Sequence, residues 1–108
     1  MLIANSDDSK ENKLEKIYNW VGTGLHISEA VPAAFGIIKI CNGDALESTY
    51  EAINIGYDTD TVACITGSIV GALNGANDKI MEDCKIIDKA NDINIENLAD
   101  NILKTINL

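Results

Sequence analysis

The side chains best suited to chemistry in this sequence form a short run of oxygen donors: Asp58, Asp60 and Thr61. Carboxylates and hydroxyls are the ligands that Mg²⁺, Mn²⁺ and Ca²⁺ prefer, whereas Zn²⁺ is usually held by nitrogen and sulfur. Side chains at i and i+2 of a turn project to one side, and those at i and i+3 align once a helix has begun. The three groups are therefore predicted to converge on a divalent cation.

A simpler interpretation of the same run is structural. Asp58 or Asp60 alone is an adequate helix N-cap, worth about 1 kcal/mol, and Thr61 could be an ordinary first-turn residue. Three oxygen ligands also do not complete a metal site, because Mg²⁺ usually needs further carboxylates or substrate phosphates. The spacing by itself leaves both interpretations open.

The composition indicates one small, soluble domain. The chain has 108 residues, 46% of them apolar, and a formal net charge of −9. Such a charge repels nucleic acids and anionic membranes, so a cation is a more suitable binding partner for this acidic chain than either. We therefore expect no nucleic-acid partner and no membrane partner.

The cysteines and the apolar segments indicate where in the cell the protein is located. The three cysteines form no CxxC pair, and the single histidine is not placed to complete a zinc site. No basic segment followed by an apolar one opens the chain, and the apolar run 62–73 is too short to span a membrane. The sequence predicts a cytoplasmic protein with reduced thiols.

Apolar residues recur with helical spacing after a polar start, and no strand alternation is evident. Residues 1–12 are predicted to be a flexible lead-in, and residues 13–108 a single all-α domain of about six helices. Side chains predicted to face the core are Leu14, Ile17, Tyr18, Val21, Val31, Ala34, Phe35, Ile38, Leu46, Tyr50, Ile53, Ile80, Cys84, Ile87, Leu98, Ile102 and Ile106.

Four helix starts can be predicted from capping residues. Ser28, Asp44 and Asn94 are expected to cap the second, third and sixth helices, and the fourth is expected to begin at residues 58–60. Pro32 is compatible with the second helix only in its first turn.

Small residues recur every four positions in the fourth helix, at Ala63, Gly67, Gly71 and Gly75. Each glycine within a helix costs roughly 0.5–1 kcal/mol relative to alanine. A row of them therefore predicts a neighbouring helix that approaches closely enough to offset this cost.

Residues 52–72, which read AINIGYDTDTVACITGSIVGA, closely resemble the second metal-binding motif of the ADP-ribosylglycohydrolase family. Residues 24–35, GLHISEAVPAAF, resemble the family segment that precedes this motif, so that the similarity covers about 22–108. The resemblance implies an orthogonal multi-helical fold, of which this chain is the C-terminal part.

The resemblance also implies a function. In that family a binuclear Mg²⁺ or Mn²⁺ centre binds ADP-ribose and helps water to cleave the linkage between the ribose and its acceptor. By position, Asp58, Asp60 and Thr61 are expected to be metal ligands, with Asp60 touching both ions. Gly56 and Tyr57 are expected to bind substrate at the mouth near the ribose, although the family usually has a second glycine where Tyr57 stands.

The rest of the family's metal site has no counterpart in the sequence. The Thr-Asp-Asp cluster and the acidic residue near the family's amino end are missing before Leu14. No catalytic residue is therefore assigned: His26 is expected at the surface, and Glu29 in an exposed first turn.

Three hypotheses follow. The chain is a truncated hydrolase that is inactive alone, or its half-site is completed by dimerisation or by a separate N-terminal chain, or it is a non-enzymatic helical interaction module.

Overall fold

The computed structural model describes residues 2–106, and Met1, Asn107 and Leu108, which the predicted ranges include, lie outside the described residues. No strand occurs within these residues, which confirms the predicted all-α class with six helices. No helix in 2–106 is both long and apolar enough to cross a membrane. The helices are α1 (Lys10–Lys16), which continues into a π-helical turn (Ile17–Val21), α2 (Ile27–Ile40), α3 (Ala45–Asn54), α4 (Thr59–Asn74), α5 (Asp78–Asn91) and α6 (Ile95–Thr105).

The chain divides into two compact units, Met1–Gly75 and Ala76–Leu108. The first unit contains the buried core, built mainly from small and β-branched side chains of the π-helical turn and α2–α4. The predicted single domain over 13–108 stays a prediction. The core residues are Ile17, Ala30, Ala33, Ile37, Cys41, Ala52 and Val62.

The segment before α1 has local structure. Ala4 is buried, and the Ser6 hydroxyl lies within hydrogen-bond distance of the Ile3 carbonyl, at 2.8 Å, and of the Asp8 carboxylate, at 2.6 Å. The Asp8 carboxylate also pairs with Lys16, and this hydrogen bond holds the pKa of Asp8 below its usual range. These contacts tie the predicted lead-in to the first helix.

Helix α2 begins earlier than predicted. Its N-cap is His26, whose carbonyl accepts from the N–H groups of Glu29 and Ala30, both at 2.9 Å, so the expected Ser28 cap is wrong. Pro32 consequently lies in the second turn. Because Pro32 and Ser28 are both exposed, water can reach the carbonyl that the proline leaves without an intrahelical donor.

The buried faces of α2 and α3 also differ from prediction. Phe35 is 50% exposed, Tyr50 49% and Ile53 51%, whereas Ala33, Ala34 and Ala52 are fully buried. Small side chains let the helix backbones approach one another, and the larger apolar residues are displaced to the outside. The predicted Asp44 cap of α3 is confirmed, with the Glu47 N–H donating to its carboxylate at 2.8 Å.

The glycine row of α4 does not face a closely approaching helix in the described residues. The buried face of α4 consists of Val62, Thr66 and Val70. A Cβ added at Gly67 would lie 3.8 Å from Thr49, which is ordinary contact, and one at Gly71 would meet nothing within 4 Å. The predicted close approach is therefore wrong at Gly67 and Gly71, whereas Ala63, the first residue of the row, packs against the core.

In the second unit, Asn77 and Asn94 cap α5 and α6 by accepting from Ile80 N–H at 2.9 Å and Asn97 N–H at 2.7 Å, the latter as predicted. Neither helix has a buried residue. Three side chains in α6 and at its C-cap that were predicted to face a core are more than half exposed: Leu98, Ile102 and Ile106.

Replacing Gly71 by alanine is expected to raise the free energy of unfolding by about 0.5–1 kcal/mol, because the new methyl group has room and alanine favours helix. Val70→Ala, on the buried face of the same helix, should lower it by about 2 kcal/mol. Urea denaturation followed by circular dichroism measures both. A loss of stability in Gly71→Ala would reveal a helix packed against this position.

Candidate functional site

The predicted metal residues lie where two loops are joined by Thr23. The Thr23 hydroxyl donates to the Gly56 carbonyl at 2.9 Å, and the Asp58 N–H donates to the Thr23 carbonyl at 3.0 Å. Thr23 itself is only 2% exposed. The loop after the π-helical turn therefore fixes the segment that enters α4 from both sides of Tyr57.

Asp58 occupies the N-cap position of α4 without capping it. Its φ of −86° and ψ of 63° are those of an inverse γ-turn, which the Thr59 N–H closes by donating to the Tyr57 carbonyl at 3.0 Å. The Asp58 side chain makes no capping hydrogen bond, whereas Asp44, Asn77 and Asn94 all do. The purely structural interpretation of Asp58 therefore does not account for its carboxylate.

The freed carboxylate is partly buried and incompletely satisfied. The Oδ2 atom of Asp58 is inaccessible to solvent and has no hydrogen-bond partner among the described residues. Burying a carboxylate oxygen without a partner is costly. Asp58 Oδ2 therefore lacks the partner that a buried carboxylate oxygen normally has.

Asp60 follows Asp58 by two residues, and the two side chains interact. A side-chain hydrogen bond with Asp58 lowers the pKa of Asp60, and the backbone N–H groups of Asp60 and Thr61 lower it further. Two carboxyl groups can share a hydrogen bond only around a proton, and a metal cation can take the place of that proton. The predicted convergence of the Thr61 hydroxyl stays a prediction.

These two carboxylates form a small cluster. In residues 2–106, no group of three or more His, Cys, Asp or Glu side chains could hold a metal ion. The third predicted ligand is a hydroxyl, so the residues present offer a set of oxygen donors that fits a hard cation but does not fill its coordination sphere.

The predicted substrate residues form the turn next to this pair. Gly56 has a φ of +99° and Tyr57 a φ of +65°, and the Tyr57 side chain is 77% exposed. A Cβ at Gly56 would lie 3.2 Å from the Tyr18 ring, which the π-helical turn carries to this point. Tyr18, predicted to face the core, is 44% exposed here and borders the turn instead.

Sequence reasoning missed the role of Glu29, which was expected to be merely exposed. Its Oε2 accepts the Gly24 N–H at 2.9 Å, and a Cβ at Gly22 or Gly24 would lie 2.7 Å or 2.5 Å from this oxygen. Glu29 therefore shapes the loop that carries Thr23. The sequence feature that could have indicated this role is the pair Gly22 and Gly24, which precede Glu29 by seven and five residues. His26 is exposed, as expected.

An apolar cavity of about 440 Å³ lies elsewhere in the first unit. None of the residues predicted to bind metal or substrate contributes to its walls. It is lined by Leu2, Ile3, Ile17, Trp20, Val21, Pro32 and Gly36.

Comparisons with known proteins identify the family of the chain. The model of the ADP-ribosylglycohydrolase family matches residues 2–107, and the chain therefore belongs to the ADP-ribosylglycohydrolase family. No solved structure matches it.

Two curated relatives are much longer than this chain. An uncharacterized protein, YegU of Escherichia coli (strain K12), is 33% identical over 75 residues, which cover 69% of this chain and 22% of that protein. The ADP-ribosylhydrolase ARH3 of Danio rerio is 27% identical over 99 residues, covering 80% of this chain and 27% of the zebrafish protein. The chain thus spans about a quarter of the length of these relatives.

Thr23→Val keeps the shape of the side chain but removes the hydroxyl that binds the Gly56 carbonyl. We expect the free energy of unfolding to fall by about 1–2 kcal/mol, because a buried acceptor loses its donor. Ser68→Ala, which removes an exposed hydroxyl bonded within α4, should change it by less than about 0.5 kcal/mol. Equal effects of the two substitutions in urea denaturation would contradict the proposed role of Thr23.

Proposed function

We propose that this chain is a shortened form of a Mg²⁺- or Mn²⁺-dependent ADP-ribosylglycohydrolase that carries half of a binuclear metal site and is inactive alone. The observation that supports it is the Asp58 carboxylate, which leaves its helix uncapped and keeps a buried oxygen without a partner. Asp60 and Thr61 complete the proposed half-site.

The chemistry of the donors suits the proposed ion. Asp58, Asp60 and Thr61 offer only oxygen atoms, and two adjacent carboxylates repel one another unless a cation or a proton lies between them. A bound divalent ion would polarise substrate oxygens and lower the pKa of bound water. Asp60, the more exposed of the two carboxylates, is the proposed bridge between the two ions.

The proposal that the chain is inactive by itself follows from the small number of metal ligands that it supplies. Three protein oxygens leave most of the coordination positions of two ions to water, so that the metal would be bound weakly and oriented poorly. The family relatives are about four times as long as the matched part of this chain, which leaves ample sequence for the remaining ligands.

The substrate class comes from the family. Members act on ADP-ribosyl linkages, and Gly56 and Tyr57 are proposed to line the mouth of the pocket near the ribose. Gly56 adopts a positive φ, and because glycine has no Cβ, the Tyr18 ring can lie close to the turn. The described cysteines are free, which is compatible with the proposed cytoplasmic location.

We further propose that the half-site is completed in trans, by a second copy or by a separate N-terminal chain. Helices α5 and α6 bury no residue, and Ile86, Leu98 and Ile102 are each more than half exposed. Exposed apolar faces of this extent favour association. The same faces would serve a non-enzymatic interaction module, which is the alternative function.

Adding Mg²⁺ and ADP-ribose at millimolar concentration should shift the amide NMR signals of residues 58–61 in the unmodified chain. Asp58→Asn and Asp60→Asn should remove the shift, because each deletes one charged ligand but keeps the side-chain size. The control Asp44→Asn, at an N-cap where asparagine is equally effective, should leave it intact. If the native chain shows no shift, the metal site is absent and the interaction module is favoured.

Sedimentation equilibrium at tens of micromolar tests self-association. The homodimer version predicts a mass of about twice that of the chain, because exposed apolar helix faces lower their free energy by pairing. Replacing Leu98 and Ile102 together by serine should shift the equilibrium toward the monomer. A monomeric native chain would exclude the homodimer and leave the separate N-terminal chain as the partner.

A further inference from the structure

Tyr57 adopts a backbone conformation that is unfavourable for its residue type. Its φ of +65° lies in the left-handed region, which residues other than glycine, asparagine and aspartate rarely occupy. Burial does not compensate, since the side chain is 77% exposed. The fold therefore gains little from tyrosine at this position, and backbone strain of this kind is characteristic of functional sites.

The surrounding contacts hold the strained residue in place. Thr23 binds the carbonyl before Tyr57 and the N–H after it, at 2.9 Å and 3.0 Å. The ring lies against Gly24, where an added Cβ would approach its Cε1 atom to 2.7 Å. Glu29 in turn holds the Gly24 N–H at 2.9 Å. The result is a fixed backbone at Tyr57, with its ring beside Gly24, largely open to solvent and one residue from Asp58.

We propose that Tyr57 determines the specificity of this site by stacking on a planar group attached to the ribose of the ligand. This inference rests on the proposed function, in which the pair Asp58 and Asp60 anchors the ribosyl part through a metal ion. An exposed aromatic ring beside that anchor favours ligands with a flat, π-bonded substituent over those with a hydroxyl.

The test compares ligands that share the ADP-ribose part and differ in the substituent. ADP-ribose carries a hydroxyl, NAD⁺ a charged planar ring and NADH an uncharged ring. With the full chain and Mg²⁺, NMR titration should show NAD⁺ binding about three- to tenfold more tightly than ADP-ribose, as expected for one aromatic pair. NADH, whose ring is conjugated but not aromatic, should bind with an affinity between the two. A preference limited to NAD⁺ would assign the effect to charge and overturn stacking.

Variants separate the ring from the rest of the site. Tyr57→Phe should keep the preference, Tyr57→Ala should abolish it, and the control Tyr50→Ala, at another half-exposed tyrosine, should keep it. Tyr57→Gly should abolish the preference while raising Tm by a few degrees, because glycine adopts the positive φ without strain. A lower Tm in Tyr57→Gly would show that the ring is structural and would overturn the inference.

The two proposals fail in different ways. Binding of ADP-ribose with no preference among the three ligands overturns the role of Tyr57 and leaves the proposed function standing. Absence of binding by all three, together with unmoved signals at residues 58–61, removes the proposed site and the inference with it.

Discussion

Two hydrogen bonds of one buried threonine hold the candidate site together. Thr23 binds the Gly56 carbonyl and the Asp58 N–H, and thereby joins the loop before α2 to the entry of α4. Because both bonds act on the backbone, they fix the direction of the chain on either side of Tyr57. The position of the Asp58 carboxylate, the strain at Tyr57 and the start of α4 all depend on them.

The geometry of Asp58 shows how a fold can keep a charged group free. A γ-turn closes the backbone at this residue, so α4 begins without a side-chain cap. The carboxylate is left beside Asp60 at the positive end of a helix dipole, which favours negative charge. A net charge of −9 disfavours any further anion there unless a cation comes with it.

The open surfaces of the chain are consistent with its share of the family domain. Gly71 has space around it, and the apolar residues of α5 and α6 lie outside any core. In a chain that matches about a quarter of its relatives' length, faces of this kind are expected where further helices of the family domain would pack. In the proposed function, the half-site and the open faces would share this origin.

The sequence by itself determined the helical class, the caps at Asp44 and Asn94, the start of α4 and the family, because these depend on local periodicity, local hydrogen bonds and a long motif. It did not determine which faces of α2 and α3 are buried, since apolarity pointed to Phe35, Tyr50 and Ile53 while close backbone packing selected alanines. Nor could spacing show that Asp58 leaves its cap unmade. The buried faces and the backbone at Asp58 depend on contacts between residues distant in sequence, such as those of Thr23 with Gly56 and Asp58, and only the tertiary structure fixes them.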